Sequence, residues 1–429
     1  MRNLFFINLI NKNLNKPYFI WLYSATISSL VFFRFHTTNF EWGRFLWPYT
    51  ELTNLTHKEL FIDIIFTVFK PFLHLEKIAG EYCGYECINL LNRFVYAIFA
   101  FLVSLLIIKR LKYYFIFSRN NIQRYLLGII IFTFPFLMRS SSFGGVSDII
   151  HTFGVLLLII SSQQFLKAGN QKNLSLFYQI KLMIFLSLGI WLTDLTRPFG
   201  ILTSLIFIIF FICKRSYKFV IASLIGISLA LPYHVVHFKK TGNYVMSNFT
   251  GCFMAEVYLP ENYKRPSTLD RSFSSQIEIL KICDKAKEDI IEEYFKSKPL
   301  LTIKKIFNIN LLARKIFPPA FTPYQDTPNI FSARGLYQWS ITFILFLFYL
   351  STIWIFLFSI INSDISISIK IIFSFAVFVP LFSSLVANSG IESLRHTLHF
   401  YLPLLFLGLQ IGIFNIQKKI FDNQINSIS

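Results

Sequence analysis

The sequence predicts an all-α, polytopic membrane protein of about ten transmembrane helices, with interfacial helices in its first outer loop. A large, mostly helical outer loop is expected between the seventh and eighth spans. Three observations carry this expectation. Hydrophobic residues make up 54% of the 429 positions, and the mean hydropathy is +0.55, too apolar for one water-soluble core. Apolar runs recur along the whole chain. Basic residues gather in alternate connections between those runs, as they do where loops are sorted across a membrane.

The apolar runs place spans at about 17–33, 94–108, 125–138, 149–166, 182–193, 199–212, 219–236, 337–361, 369–387 and 398–414. Several are shorter than a straight crossing requires, and 182–212 is also compatible with a re-entrant pair. Orientation follows from Arg2, Lys12 and Lys16, from Lys109, Arg110, Lys112, Arg119 and Arg124, and from Lys167, Lys172 and Lys181. Lys214, Arg215, Lys218, Lys370, Lys418 and Lys419 fall on the same side, where Asp364 and Asp422 are the opposing acids. That side, with both termini, is expected to be cytoplasmic. The formal charge of +19 is therefore a topology signal, and no solvent-facing basic domain suggests a nucleic-acid partner. The first apolar stretch has no small-residue cleavage site, so no cleavable signal peptide is expected.

Three regions result: a membrane module 1–236, an outer loop domain 237–336 and a second membrane module 337–429. In the first outer segment, about 34–93, Leu60, Phe61, Ile64, Ile65, Val68, Phe69, Phe72 and Leu73 recur at helical spacing. Asp63, Lys70 and Pro71 interrupt that run, which suits helices lying in the interface. In the outer domain, 274–296 sets Ile277, Leu280, Ile290, Ile291 and Tyr294 among charged neighbours, the pattern of an amphipathic helix. Cys83, Cys87, Cys252 and Cys283 all fall in the two outer segments, while Cys213 edges the cytoplasm. An even set in an oxidising compartment suggests disulfides, with the pairing open; Cys252 and Cys283 are expected to be oxidised. The Cys83–Cys87 spacing alone is a poor zinc signal.

Short outer loops carry an acid and an arginine each: Arg139 with Asp148, Asp194 with Arg197, and Glu392 with Arg395. Ionisable groups at membrane depth are costly and are seldom kept without a task. In Asp194-Leu195-Thr196-Arg197-Pro198-Phe199-Gly200, proline ends the helix, and the spacing lets Asp194 and Arg197 share a side. Such a pair either neutralises itself at the interface or frees the arginine to hold a lipid-linked phosphate. Near the C-terminus, Glu392-Ser393-Leu394-Arg395-His396 precedes His399-Phe400-Tyr401-Leu402-Pro403 and repeats the acid and arginine beside a histidine, either a structural ion pair or an anion site.

These two stretches, with the overall layout over roughly residues 17–415, resemble the membrane glycosyltransferases of the GT-C fold. Several branches, including protein mannosyltransferases and lipid A aminoarabinose transferases, carry a Leu-Thr-Arg-Pro stretch near the end of a middle span. The resemblance implies a transferase taking sugar from a polyprenyl phosphate, at the outer face of a bacterial inner membrane. It implies Glu41, in Asn39-Phe40-Glu41-Trp42-Gly43-Arg44, and Asp148, in Gly144-Gly145-Val146-Ser147-Asp148, as catalytic acids. Arg197, Arg395 and His396 would bind the donor phosphate, with Asp194 and Glu392 in support. The first loop lacks the paired acids usual in these enzymes, so Glu51 and Asp63 compete with Glu41.

The chemistry fits those residue types. Transfer to a hydroxyl or amine needs a base, and a carboxylate in a partly desolvated cavity suits it. Arginine offers a permanent charge and a fork for phosphate oxygens. The residues single out no particular cofactor; a divalent cation at Asp148 is an option, as is acceptor orientation by the same residue. The acceptor would be a glycan, lipid or protein. A polymerase or ligase of O-antigen type is an alternative reading, and a transporter or flippase is a third, although no internal repeat is present.

Overall fold

The computed structural model describes residues 22–24, 83–118, 120–141, 146–169, 175–197, 200–241, 252, 254, 255, 258, 273–308, 312, 313, 316, 317, 329–363, 367–387, 400–413 and 415. Every regular element among them is a helix. In chain order these are α1 (Cys83–Phe117), α2 (Asn121–Ser141), α3 (Val146–Gly169), α4 (Leu176–Thr196), α5 (Gly200–Cys213) and α6 (Tyr217–Thr241). They continue with α7 (Phe273–Ile290), α8 (Pro299–Ile306), α9 (Ala333–Ile361), α10 (Ile367–Ala387) and α11 (Phe400–Ile413).

Five of these, α2, α3, α4, α6 and α9, contain a stretch long and apolar enough to cross a membrane. All-helical among its described residues and with five such helices, the chain has the character of a helical membrane protein. Large apolar side chains cover its outside as well as its inside: Phe132, Ile184, Leu202, Ile221, Phe343 and Trp354 are all more than half exposed. In water that surface would be untenable, whereas a lipid environment accepts helices that are apolar all round.

The expected span 17–33 and the interfacial stretch 34–82 lie outside the described residues, apart from a helical turn at Leu22, Tyr23 and Ser24. That turn packs on α2, where the Tyr23 hydroxyl donates to the Ile131 carbonyl and its ring stacks on Phe134. One boundary moves. Residues 83–93, read from sequence as part of the interfacial segment, are the opening turns of α1. At 35 residues, α1 is roughly 52 Å long and outruns the hydrocarbon core.

Side-chain bonds tie one end of the bundle together. Gln123 Nε2 donates to Tyr114 Oη at 3.0 Å, and that hydroxyl lies 3.5 Å from Ser359 Oγ. Gln163 Nε2 donates to the Gln410 carbonyl at 2.8 Å, and Tyr178 Oη to Gln164 Oε1 at 2.8 Å. Lys218 Nζ reaches Gln179 Oε1 at 3.4 Å, and Lys370 Nζ donates to the Ile360 carbonyl in the last turn of α9 and to that of Ser363 just beyond it. The helix ends that carry Lys112, Arg124, Lys181, Arg215 and Lys218 therefore share one end of the molecule, as the charge pattern expects.

Close helix contacts depend on missing side chains. A Cβ on Gly154 of α3 would sit 3.0 Å from the Gly189 carbonyl of α4, and one on Gly189 would sit 2.8 Å from Leu158 Cδ2. This paired absence lets the two backbones approach, the usual device of helices packing in lipid. On the other side of α4, Ser187 Oγ donates to the Ala222 carbonyl of α6 at 2.6 Å. α11 runs parallel to the C-terminal half of α9: Tyr401 stacks on Tyr349 at 4.2 Å, and Asn415 Nδ2 donates to the Asn362 carbonyl.

The segment between α6 and α9, expected to form the outer domain, has a small apolar core among its described residues. Met254, Ala255 and Tyr258 pack on Ala286 and Ile290 of α7, with Tyr294 and Phe295 alongside. A disulfide joins Cys252 to Cys283, both buried; both are oxidised as expected, and the bond supplies the pairing that the sequence left open. The side chains of Cys83 and Cys87 lie outside the description, and Cys213 is free and exposed. Burial pushes the Tyr258 phenol above its ordinary range. From the last residue of α8 the chain returns to the bundle, where Ile306, Leu312, Ile316 and Phe317 pack against the main apolar core.

Candidate functional site

At the far end of the bundle, roughly 22 Å of helix rise along α3 from Gln163, buried ionisable residues from three helices converge. Asp148 sits in the first turn of α3 and is fully buried. A carboxylate there is favoured by the positive end of the helix dipole. Arg197 is the C-cap of α4, where the backbone turns extended at φ −145° and ψ 141°. The following proline disfavours a helical conformation at this position, which sets where the helix stops. Its guanidinium, 4% exposed, forms an ion pair with the Asp148 carboxylate.

The turn that aims Arg197 is held tightly. The Gly200 amide donates to the Arg197 carbonyl at 2.8 Å, and a Cβ on Gly200 would fall 1.8 Å from the Thr193 carbonyl. No side chain fits there. α5 consequently starts directly against α4, and Thr193 Oγ1 lies 3.4 Å from Ser204 Oγ across the junction.

Asp194 faces α6 instead. Its Oδ2 lies 3.2 Å from His234 Nε2, both residues being buried. That contact is a hydrogen bond when the imidazole nitrogen carries its proton and a charge pair when the ring is protonated. The other oxygen, Oδ1, is buried and accepts no hydrogen bond from the described residues. His151, one helical turn after Asp148 and fully buried, brings Nδ1 to 3.5 Å from Thr196 Oγ1. Thr152 and Thr196 turn their hydroxyls back to the carbonyls of Asp148 and Leu192, at 2.8 and 2.6 Å.

The structure thus brings together three of the residues singled out from sequence, Asp148, Asp194 and Arg197, and it repartners them. The spacing suggests that Asp194 and Arg197 share a side; in the structure Arg197 pairs with Asp148 of α3 and Asp194 with His234 of α6. The cause is local. The break at Arg197 takes its side chain off the helical track that Asp194 follows. Arg139 lies in α2, with its side chain outside the description. Glu41, Glu51, Asp63, Glu392, Arg395 and His396 lie outside the described residues.

Sequence reading did not single out His151 and His234. His151 stands three positions after Asp148, a spacing that shares a helix face, and His234 is an ionisable residue inside an apolar span just after Pro232. Both signals were present. Among the described residues, no group of three or more His, Cys, Asp or Glu is placed to hold a metal ion.

Chemically, the cluster offers a carboxylate held by a guanidinium and a second carboxylate held by an imidazole, all within the packed end of three helices. Two desolvated charges are tolerated because they neutralise each other, and each is costly without its partner. No protein-family model matches the chain, and neither does any curated protein or solved structure.

Proposed function

We propose that the protein is an integral membrane glycosyltransferase that moves a sugar from a polyprenyl-phosphate donor to a cell-envelope acceptor. The reading is supported chiefly by one observation: Arg197 and Asp148 meet, buried, at the end of the bundle opposite its basic loops. An arginine at that level is suited to the phosphate of a lipid-linked donor, which offers oxygens in the geometry its fork accepts. In this proposal the donor phosphate competes with Asp148 for the guanidinium. Binding then frees the Asp148 carboxylate to orient the attacking hydroxyl or amine toward the base, while Arg197 supports the departing phosphate.

Glu41, Arg395 and His396 are proposed to complete the site, with Glu41 as base, Asp148 as its partner, and Asp194 and Glu392 in support. The proposal takes the membrane to be a bacterial inner membrane crossed about ten times, with the site on the periplasmic face. A divalent cation at Asp148 stays an option within it. A transporter is the less favoured reading, because it would seat its polar groups near mid-membrane, whereas Asp148 and Arg197 occupy helix ends.

The test is direct. Purified protein in detergent is given a radiolabelled polyprenyl-phosphate sugar, and release of the polyprenyl phosphate is followed. The native chain should consume the donor, and Asp148→Asn should bind it without consuming it. Equal consumption by native and Asp148→Asn protein would remove Asp148 from the chemistry.

A further inference from the structure

Between the small core of the outer domain and the membrane bundle lies α8, eight residues opened by Pro299. One side of it faces the protein, where Thr302 is 2% exposed and Lys305 folds back over the Tyr294 and Tyr258 rings at 4.6 and 5.4 Å. Its other side is apolar and bare. Leu300 is 81% exposed, and Ile303, Phe307 and Leu301 lie between two-fifths and just over half exposed. Residues 296–307 hold Lys296, Lys298, Lys304 and Lys305 and no acid. Lys304 is exposed and forms no ion pair among the described residues, whereas Lys296 and Lys298 are shared with Glu292 and Glu293.

Its position says what covers that side. Ile306, the last residue of α8, packs against the apolar core of the membrane bundle, and Phe317 a little further on meets Phe346 of α9 at 5.1 Å. α9 enters the bundle from the end away from Ser359, and α6 leaves it just past His234, which meets Asp194, so the segment carrying α8 is attached at the Asp148–Arg197 end of the bundle, the level at which we take the bilayer surface to lie. An apolar face beside a lysine at that level matches the chemistry of an interfacial helix on anionic lipid.

We propose that α8 docks on the outer leaflet of the bilayer, with Leu300, Leu301, Ile303 and Phe307 at the acyl boundary and Lys304 among anionic head groups. This would fix the height of the outer domain above the membrane. It does not depend on the proposed reaction. Other occupants of the face, such as a second copy of this chain, are separated by the test.

The full chain carrying photoreactive benzoylphenylalanine in place of Leu300, Phe307 or, as control, the exposed Glu288 of α7 is reconstituted in phosphatidylcholine vesicles with and without phosphatidylglycerol, then irradiated. Leu300 and Phe307 are exposed, so the replacements leave the packing intact. The expected result is a lipid adduct by mass spectrometry at 300 and 307 and none at 288. Lys304→Glu should lower the adduct yield about fivefold in the anionic vesicles and leave it unchanged in the neutral ones. No lipid adduct at 300 and 307, or a crosslink to a second copy there, would overturn the proposal. A yield indifferent to Lys304→Glu in anionic vesicles would overturn its head-group half.

Discussion

Arg197, the residue at which α4 stops, reaches across to Asp148 in the first turn of α3, and the pair is buried. One ion pair therefore joins two helices at the end of the bundle where a second buried acid, Asp194, and the two histidines also gather. Its removal has a structural consequence that is separable from any catalytic one.

Replacing either partner alone should destabilise the fold by about 3–5 kcal/mol, because the other charge is left desolvated and uncompensated. Arg197→Met combined with Asp148→Leu should cost much less than the sum of the two. Thermal unfolding in detergent checks this, and additive losses would show that the two groups are not coupled in the native protein.

The glycine pair lets α3 and α4, the two helices that the ion pair joins, pack closely. Gly154→Leu or Gly189→Leu should force α3 and α4 apart and lower stability by about 1–3 kcal/mol, the usual cost of overpacking, with loss of function at the cluster. Ala at Gly200 meets the Thr193 carbonyl backbone directly and should be no milder. Melting temperatures of the purified variants decide it; native-like values for all three would mean that the helices give way without strain.

The Cys252–Cys283 bridge closes a loop with a sequence separation of 31, for which chain entropy gives about 3–4 kcal/mol. Reduction, or Cys283→Ser, should loosen the outer domain and leave the membrane helices intact. Limited proteolysis should then cut within 252–296 first. Uniform resistance before and after reduction would assign the bridge no role in holding the Tyr258 cluster together.

Topology follows from the end at which the basic residues gather. A cysteine introduced at Lys112 should resist an impermeant reagent on intact cells, and one at Glu288 should react. The reverse pattern would invert the molecule and move the Asp148–Arg197 cluster to the cytoplasmic face.

Much of this architecture is legible in the sequence because membrane helices must satisfy their own backbone, so apolar run length reads out helices directly. The helices overlie the apolar runs expected between residues 94 and 414, and the pattern 274–296 is α7 with the π-helical turn Ile291–Lys296 after it. Boundaries were less legible. The opening turns of α1 carry too little apolar character to read as span, and α3 starts at Val146, which places Asp148 inside the helix. The site was half legible. Asp148, Asp194 and Arg197 stand out as charges in apolar surroundings, but their partners are set by contacts between helices. Spacing along one helix cannot report His234, which Asp194 meets only because α4 and α6 pack side by side.

The most direct measurement is donor binding and turnover by three purified proteins: native, Arg197→Lys and Asp148→Asn. Lysine keeps the charge and loses the fork, so Arg197→Lys should hold the polyprenyl-phosphate sugar more weakly while remaining folded. Asp148→Asn, which loses the carboxylate that positions the acceptor beside the base, should bind it and transfer sugar about a hundredfold more slowly. Native donor affinity in Arg197→Lys together with native turnover in Asp148→Asn would contradict the proposed function and leave the pair a purely structural link between α3 and α4.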